Sequence, residues 1–421
     1  PWQNSSGWQA NLISAPNMFR PATTPPHLTT LILLTAVSAL SLNMFLPSLA
    51  HIARDFGSSY LLASMSISGY LAVTAVLQII LGPVADRYGR RPVLLGCLVL
   101  FVLASICAAL AQSIWIFLAA RLVQAGIIAG SALASAIISD TANRSRAASL
   151  MGYVGMAMAL APMLAPMLGG ALDQFFGWRS GFWLYAAMGG ALLWLTWVDL
   201  GETNPAPADT FTSQLRAYPE LFRSRRFWGY SICAAFGVGA FYLFVSSTPL
   251  VAAEVFHLPP TIVGLGIGSI TAGFFVGSFL SGRYSERMGP LRMIFAGRIV
   301  AFVGVLIALL VLLLWDGHPV IYFAGGIAAG LGNGLTVPNA RAGALAIRPH
   351  LAGSASGLSG ALMVAGGAVL TPLPGLLLTP ENGAWLALGL MLGAALGGLA
   401  AALYVWAVDR QEARVALSPR A

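Results

Sequence analysis

The 421-residue chain is 58% hydrophobic and carries 22 basic and 14 acidic side chains, only 9% of its residues. An ordinary soluble chain carries roughly a quarter, so this composition cannot build a water-facing surface and reads as an integral membrane protein. Every basic residue is arginine, which excludes a P-loop phosphate lysine and Schiff-base chemistry. The net charge of +8 is scattered in short gaps between apolar runs and forms no nucleic-acid-binding domain.

Residues 1–27 are polar and rich in Pro, Ser, Thr and Asn, without the apolar core of a secretory signal. They read as a disordered cytoplasmic tail, and Pro1 in place of Met as a mark of processing or clipping. A bilayer-spanning helix needs about 20 apolar residues. Such windows fall at 28–49, 60–83, 92–111, 114–138, 148–171 and 181–199, then at 228–252, 261–282, 291–314, 319–339, 354–378 and 384–407. The expected fold is therefore all-α and membrane-embedded, twelve spans in two groups of six. Residues 28–199 form the first group, 200–227 a polar linker, 228–408 the second group, and 409–421 a second cytoplasmic tail.

Arginine placement sets the orientation. With the N-terminus inside, eighteen arginines lie in inner segments and two, Arg54 and Arg179, in outer loops. That bias places both termini in the cytoplasm. Cys97, Cys107 and Cys233 sit in apolar runs with no CxxC spacing, and the five histidines never reach ligand spacing, so neither a disulfide framework nor a metal site is expected.

One motif repeats across the halves. Gly82-x-x-x-Asp86-Arg87-x-Gly89 recurs as Gly282-x-x-x-Glu286-Arg287-x-Gly289, 200 residues later. Duplicated six-span halves point to a transporter with its substrate site near the midplane between them. The stretch from Gly82 through Arg90, Arg91 and Pro92 resembles the loop signature of the major facilitator superfamily. Gly82 would let span 2 approach a neighbouring helix, Asp86 would sit near a helix N-terminus, and the arginines would bridge to carboxylates. The resemblance implies a conformational latch that shuts the cytoplasmic side, with Gly282, Glu286 and Arg287 doing the same for the second half.

Within that superfamily the chain is similar to the Bcr/CflA group of drug:proton antiporters over about residues 28–408. The similar segments are Met44-Phe45-Leu46-Pro47, Gln78, Arg121-Leu122-Val123-Gln124-Ala125, Ala161 to Gly170, Gly177-Trp178-Arg179 and Gly353 to Gly357. The group carries an aspartate just before the Met-Tyr-Leu-Pro segment, whereas this chain has Asn43, which cannot titrate, and no acid falls at mid-depth. The usual proton-carrying carboxylate is absent.

Arg121 lies about 10 Å inside span 4 at 1.5 Å per residue, and an intramembrane charge is functional by default. Gln124 completes its Arg-x-x-Gln pattern, and the resemblance to the drug:proton antiporters implies a role for the pair in substrate and proton handling. Asn43 has the same depth, so the two are expected to face one cavity that favours neutral or anionic substrates. Arg298, with no motif around it, is expected to snorkel to the cytoplasmic interface. Pro162, Pro166, Gly169 and Gly170 would bend and thin span 5 where the halves meet. By family position and residue type, Tyr70, Gln78, Phe241, Tyr242, Phe244, Asn333 and Asn339 are further cavity candidates.

These readings combine into a non-enzymatic, twelve-span transporter of the bacterial inner membrane, a functional monomer exporting small organic compounds such as antibiotics. It needs no bound cofactor and is driven by the proton gradient. Asn43 keeps open an uncoupled facilitator or metabolite exporter, and a non-transporting receptor on the same fold is the third alternative.

Overall fold

A computed structural model describes residues 26–141, 144–203, 218–314, 318–347 and 352–417. These form twelve long helical spans with short connections, as expected from the apolar windows. Span 1 is Leu28–Asn43, a 3₁₀ turn Leu46–Ser48 and Leu49–Asp55. Span 2 is Tyr60–Tyr88, span 3 Arg90–Leu110, and span 4 Ile114–Gln124 with a 3₁₀ turn and then Ile128–Thr141. Span 5 is Arg144–Phe176 and span 6 Arg179–Asp199. After a short helix Tyr218–Phe222, span 7 is Arg225–Glu254, span 8 Pro260–Met288 and span 9 Pro290–Leu314. Span 10 is Pro319–Ala346, span 11 Ala352–Leu370 continued by Leu373–Leu377, and span 12 Gly383–Leu417. Eleven of these are long and apolar enough to cross a membrane among the described residues, and span 5 has 33 residues, ample for the about 20 a crossing needs.

The chain's punctuation explains where helices stop. Pro47 lacks the N–H that would carry span 1 on as α-helix, and Pro372 does the same in span 11. Span 2 runs past its expected end at residue 83, straight through Pro83 to Tyr88. The whole turn into span 3 is then Gly89, at φ +93°, and Gly289 repeats it in the other half at φ +81°. Only glycine takes that conformation without strain.

Spans 1–6 and 7–12 each pack around an apolar core. Spans 1, 3, 5, 7, 9 and 11 begin at one end of the molecule, the arginine-rich face, and the even spans begin at the opposite end, called here the far face. The first core continues into the second bundle through Tyr242, Val245, Ala252, Val263 and Ile267. The bundles therefore meet along spans 7 and 8 without a polar gap at these positions.

Candidate functional site

Arg121 is fully buried, with no exposed surface at all. Its guanidinium stacks between the rings of Phe45 at 4.1 Å and Tyr70 at 4.6 Å, with Phe182 at 5.9 Å. Nη1 donates to Ser41 O at 3.2 Å and to Gln124 Oε1 at 2.5 Å. Gln124 Nε2 donates in turn to Ser105 Oγ at 2.6 Å, and Tyr70 OH donates to Ser41 Oγ at 3.3 Å. Spans 1, 2, 3 and 4 thus all contribute to one cage, and every partner in it is neutral. The arithmetic permits this: central arginine costs about 2.5–3.5 kcal/mol on insertion scales, and a desolvated cation over a ring returns about 2 kcal/mol per ring. Nε and Nη2 have no hydrogen-bond partner among the described residues.

Asn43 is also buried, one residue before the break in span 1. Its Nδ2 donates to Ala39 O at 2.7 Å, within its own helix, and its Oδ1 has no partner among the described residues. The structure brings Asn43 to the same span as Ser41 and Phe45 of the cage, but no hydrogen bond joins it to Arg121 among the described residues.

Arg298 corrects the expectation of snorkelling. It is wholly buried and turns into the second bundle, where Nε donates to Thr336 Oγ1 at 3.0 Å and Nη2 to Asn333 Oδ1 at 2.5 Å. Asn333 Nδ2 donates onward to Gly237 O at 2.8 Å, so the network ties spans 7, 9 and 10. Glycines at 237 and 398 flank the guanidinium, and a Cβ at either would crowd it. The sequence pattern shows Arg298 without a motif because its partners come from a different span. Asn333 consequently spends its amide on cross-linking helices, and Asn339 does likewise, donating to Ser281 Oγ of span 8 at 2.7 Å and to Leu335 O.

The other candidates separate into two groups. Tyr242 packs where Gly367 of span 11 and Leu71 of span 2 converge, with Phe241 edge-on to it at 5.1 Å, so both lie at the junction of the bundles. Gln78 of span 2 meets Gly360 of span 11 there too. Phe244 instead stacks on Tyr322 at 5.2 Å inside the second bundle's core.

Pro162, Pro166, Gly169 and Gly170 lie within one continuous helix, and their packing is explicit. Gly170 sits against the Pro260 carbonyl, and Gly264 against the Pro166 carbonyl, while Gly169 sits against Met44 O of span 1. Residues 166 and 170 of span 5 thus interlock with 264 and 260 of span 8, the close approach that small residues permit. Beside this seam three polar bonds join the bundles near the far face. Arg54 Nη2 donates to Glu254 Oε1 at 2.6 Å, Tyr60 OH donates to Ser246 O at 2.5 Å, and Thr261 Oγ1 donates to Gln174 Oε1. The Arg54–Glu254 pair was legible in principle, since its members are separated by the repeat interval of 200.

At the arginine-rich face the latch residues are arranged differently from the expectation. Gly82 and Gly282 have nothing within 4 Å of an added Cβ, so neither mediates a close helix approach. The Asp86 side chain lies outside the described residues. Arg87, Glu286 and Arg287 are exposed. The helix N-terminus at Arg90 is capped by Glu202, which accepts from the N–H of Arg90 at 3.0 Å and of Arg91 at 3.2 Å. Arg91 holds the end of span 6 through Leu200 O at 2.7 Å and Trp197 O at 3.0 Å.

Comparison with known proteins agrees with this geometry. The family model described as Major Facilitator Superfamily matches residues 31–372. Relatives include the MFS-type transporter YdgK of Bacillus subtilis, 30% identical over 351 residues that cover 82% of this chain and 87% of the relative. Multidrug resistance protein D of Escherichia coli is 30% identical over 364 residues, 84% of this chain and 89% of the relative. Among solved structures, a bacterial homologue of the lysosomal transporter Spinster, in an inward-facing and occupied conformation, superposes with a TM-score of 0.73 at 17% identity, covering 92% of this chain and 98% of that one. Two six-span halves with a repeated loop motif, matched by that family model through spans 1 to 10 and most of span 11, place this chain in the major facilitator superfamily of membrane transporters.

Proposed function

We propose that this transporter exports small organic compounds by alternating access and that Arg121 anchors the substrate. The observation carrying the reading is the Nε and Nη2 edge of Arg121, which has no hydrogen-bond partner among the described residues. That edge is the one to which a carboxylate or phosphate binds through two parallel N–H···O bonds. A caged cation with neutral partners favours anionic or neutral substrates and disfavours organic cations. Asn43 Oδ1 supplies a buried acceptor on the neighbouring helix, and Phe241 and Tyr242 supply apolar contact.

Relatives named multidrug resistance proteins, at 30% and 35% identity, support drug-like substrates. The arginine bias supports a cytoplasmic arginine-rich face in a bacterial inner membrane, and the joined far face supports an inward-facing state; the transporter works as a monomer in this reading. The proton gradient is the driving force in this reading, with no bound cofactor. Asn43 favours a second reading, an uncoupled facilitator of the same fold.

Proteoliposomes loaded against a pH gradient test both. A carboxylate-bearing fluorescent dye and its neutral ester should be transported in preference to a cationic dye, and Arg121→Gln should abolish transport of the carboxylate form. Strong selectivity for the cationic dye overturns the anchor. Transport indifferent to an uncoupler selects the facilitator.

A further inference from the structure

His51 and Asp173 form a pair that the transport site does not use. His51 lies on the last helix of span 1 and Asp173 in the last turns of span 5, and His51 Nδ1 stands 3.0 Å from Asp173 Oδ2. The imidazole is 42% exposed and the carboxylate side chain only 2%. That carboxylate oxygen has no hydrogen-bond partner among the described residues, so the ion-pair contact with His51 is what faces it. Asp173 is also the buried acid among the described residues, all other buried polar side chains there being neutral or arginine.

The position matters because the pair is flanked by bonds between the bundles. One residue beyond Asp173, Gln174 accepts from Thr261 of span 8; three residues beyond His51, Arg54 donates to Glu254 of span 7. The two helices joined by the pair are therefore the two that carry these far-face bonds.

We propose that His51 and Asp173 form a proton-binding site whose occupancy closes the far face, a proposal that rests on the alternating-access reading. With a proton on His51, imidazolium and carboxylate pair and Asp173 stays buried. Without it, the Asp173 carboxylate is buried against a neutral ring, which is unfavourable, and parting of spans 1 and 5 from span 8 relieves it by hydration. The closed state therefore binds one more proton than the open one: acidification closes the far face and rising pH opens it.

The charged and polar groups around the pair have partners of their own. Arg54, on the same helix, is matched by Glu254 of span 7. Asp55 is held by Arg179 at 2.5 Å and by Trp178 Nε1 at 3.2 Å, from the start of span 6. His257, between spans 7 and 8, stands 3.2 Å from Ala253 O, and Tyr60 of span 2 donates to Ser246 O. Span 8 brings the uncharged Thr261. Because the imidazole is half exposed near the far face, its proton enters and leaves on that side. The site biases the transport cycle and does not carry the proton across the membrane.

The test is the distance across the far face in the full chain in lipid nanodiscs, from pH 5 to pH 9. Spin labels at Phe176→Cys and Glu381→Cys, with Cys97, Cys107 and Cys233 replaced by alanine, report it. The expected result is a shift from a short to a long distance as pH rises, with the closed-to-open ratio changing up to about tenfold per pH unit for one proton. Asp173→Asn should flatten that response, and His51→Arg, which keeps the cation but does not titrate, should hold the face closed throughout. A distance independent of pH in the parent, or a full response retained in His51→Arg, overturns the proposal. Absence of transport for every dye, with the pH shift intact, overturns the proposed function instead.

Discussion

Arg54 and Glu254 stand 200 residues apart, the interval of the internal repeat, and meet across the bundle interface at 2.6 Å. Each closes the first span of its half, so the pair joins pseudo-equivalent positions. Both side chains keep contact with solvent, 58% and 38% exposed. Pairs of that kind are worth about 0.2–1 kcal/mol, so Arg54→Gln should lower the closed-to-open ratio of the far face up to about fivefold. The exchanged pair, Arg54→Glu with Glu254→Arg, should restore it. Label distances across the far face at fixed pH check both variants.

The seam between spans 5 and 8 predicts a larger effect. A Cβ at Gly170 would run into the Pro260 carbonyl and one at Gly264 into the Pro166 carbonyl, backbone atoms that cannot rotate aside. Overpacking of this sort typically costs 1–3 kcal/mol. Gly170→Ala and Gly264→Ala should each shift the far face toward the open arrangement about tenfold or more and slow transport. Gly82→Ala, where the added methyl meets nothing, should leave far-face packing unchanged. Cysteine accessibility along span 8 distinguishes these outcomes.

Much of this arrangement could be read in the chain beforehand, and the reasons are physical. Apolar runs and arginine gaps reveal spans because lipid imposes them residue by residue, and the Gly89 and Gly289 turns follow from a repeated motif. Arg121 and Gln124 were legible as a unit because one helical turn separates them. Ser105, Phe182 and Ser41 were not, since they reach the cage from other spans and nothing in their local sequence announces it. Arg298 was misread for the same reason: depth along its own helix suggested snorkelling, whereas the direction of its side chain is set by Gly237, Gly398, Asn333 and Thr336. The latch glycine at 82 was assigned a close approach that belongs instead to Gly170 and Gly264.

For Arg121 stability and function should separate. The guanidinium is buried and its partners among the described residues are neutral, so replacing it by a neutral amide removes a desolvation cost along with two hydrogen bonds worth about 1.5–3 kcal/mol each. Arg121→Gln should therefore melt within a few degrees of the parent while losing transport of a carboxylate dye. Arg121→Lys keeps charge without the side-on edge and should retain at most a tenth of the parent rate. A thermal melt and initial rates in proteoliposomes test the pair.

Arg298 should behave in the opposite way. Its bonds to Asn333 and Thr336 hold spans 7, 9 and 10 together, and leaving a buried partner unsatisfied costs about 1–3 kcal/mol. Arg298→Leu should lower the melting temperature, and Asn333→Ala combined with it should cost less than the sum of the two single changes, as expected for one network. The surviving folded fraction should keep its preference between anionic and cationic dyes. A double-mutant cycle by thermal melting measures the coupling.

His27 supplies a pH dependence outside the membrane. It precedes span 1, and its ring pairs with Asp199 Oδ1 at the end of span 6 at 2.5 Å, while its N–H donates to Asp199 Oδ2 at 2.8 Å. The hydrogen bond to Asp199, reinforced by its charge, raises the His27 pKa above the usual histidine value. A raised folded-state pKa means that the tie between spans 1 and 6 is fully present below the unfolded value of about 6.5 and is lost as pH climbs through the raised one. Asp199→Asn should return the His27 midpoint to the ordinary range and remove the extra protection of the start of span 1 at acidic pH. NMR titration of the His27 ring and hydrogen exchange at Leu28 to Leu31, at pH 6 and pH 8.5, provide the two measurements. Equal exchange at both pH values in the parent would show that this tie does not hold the start of span 1.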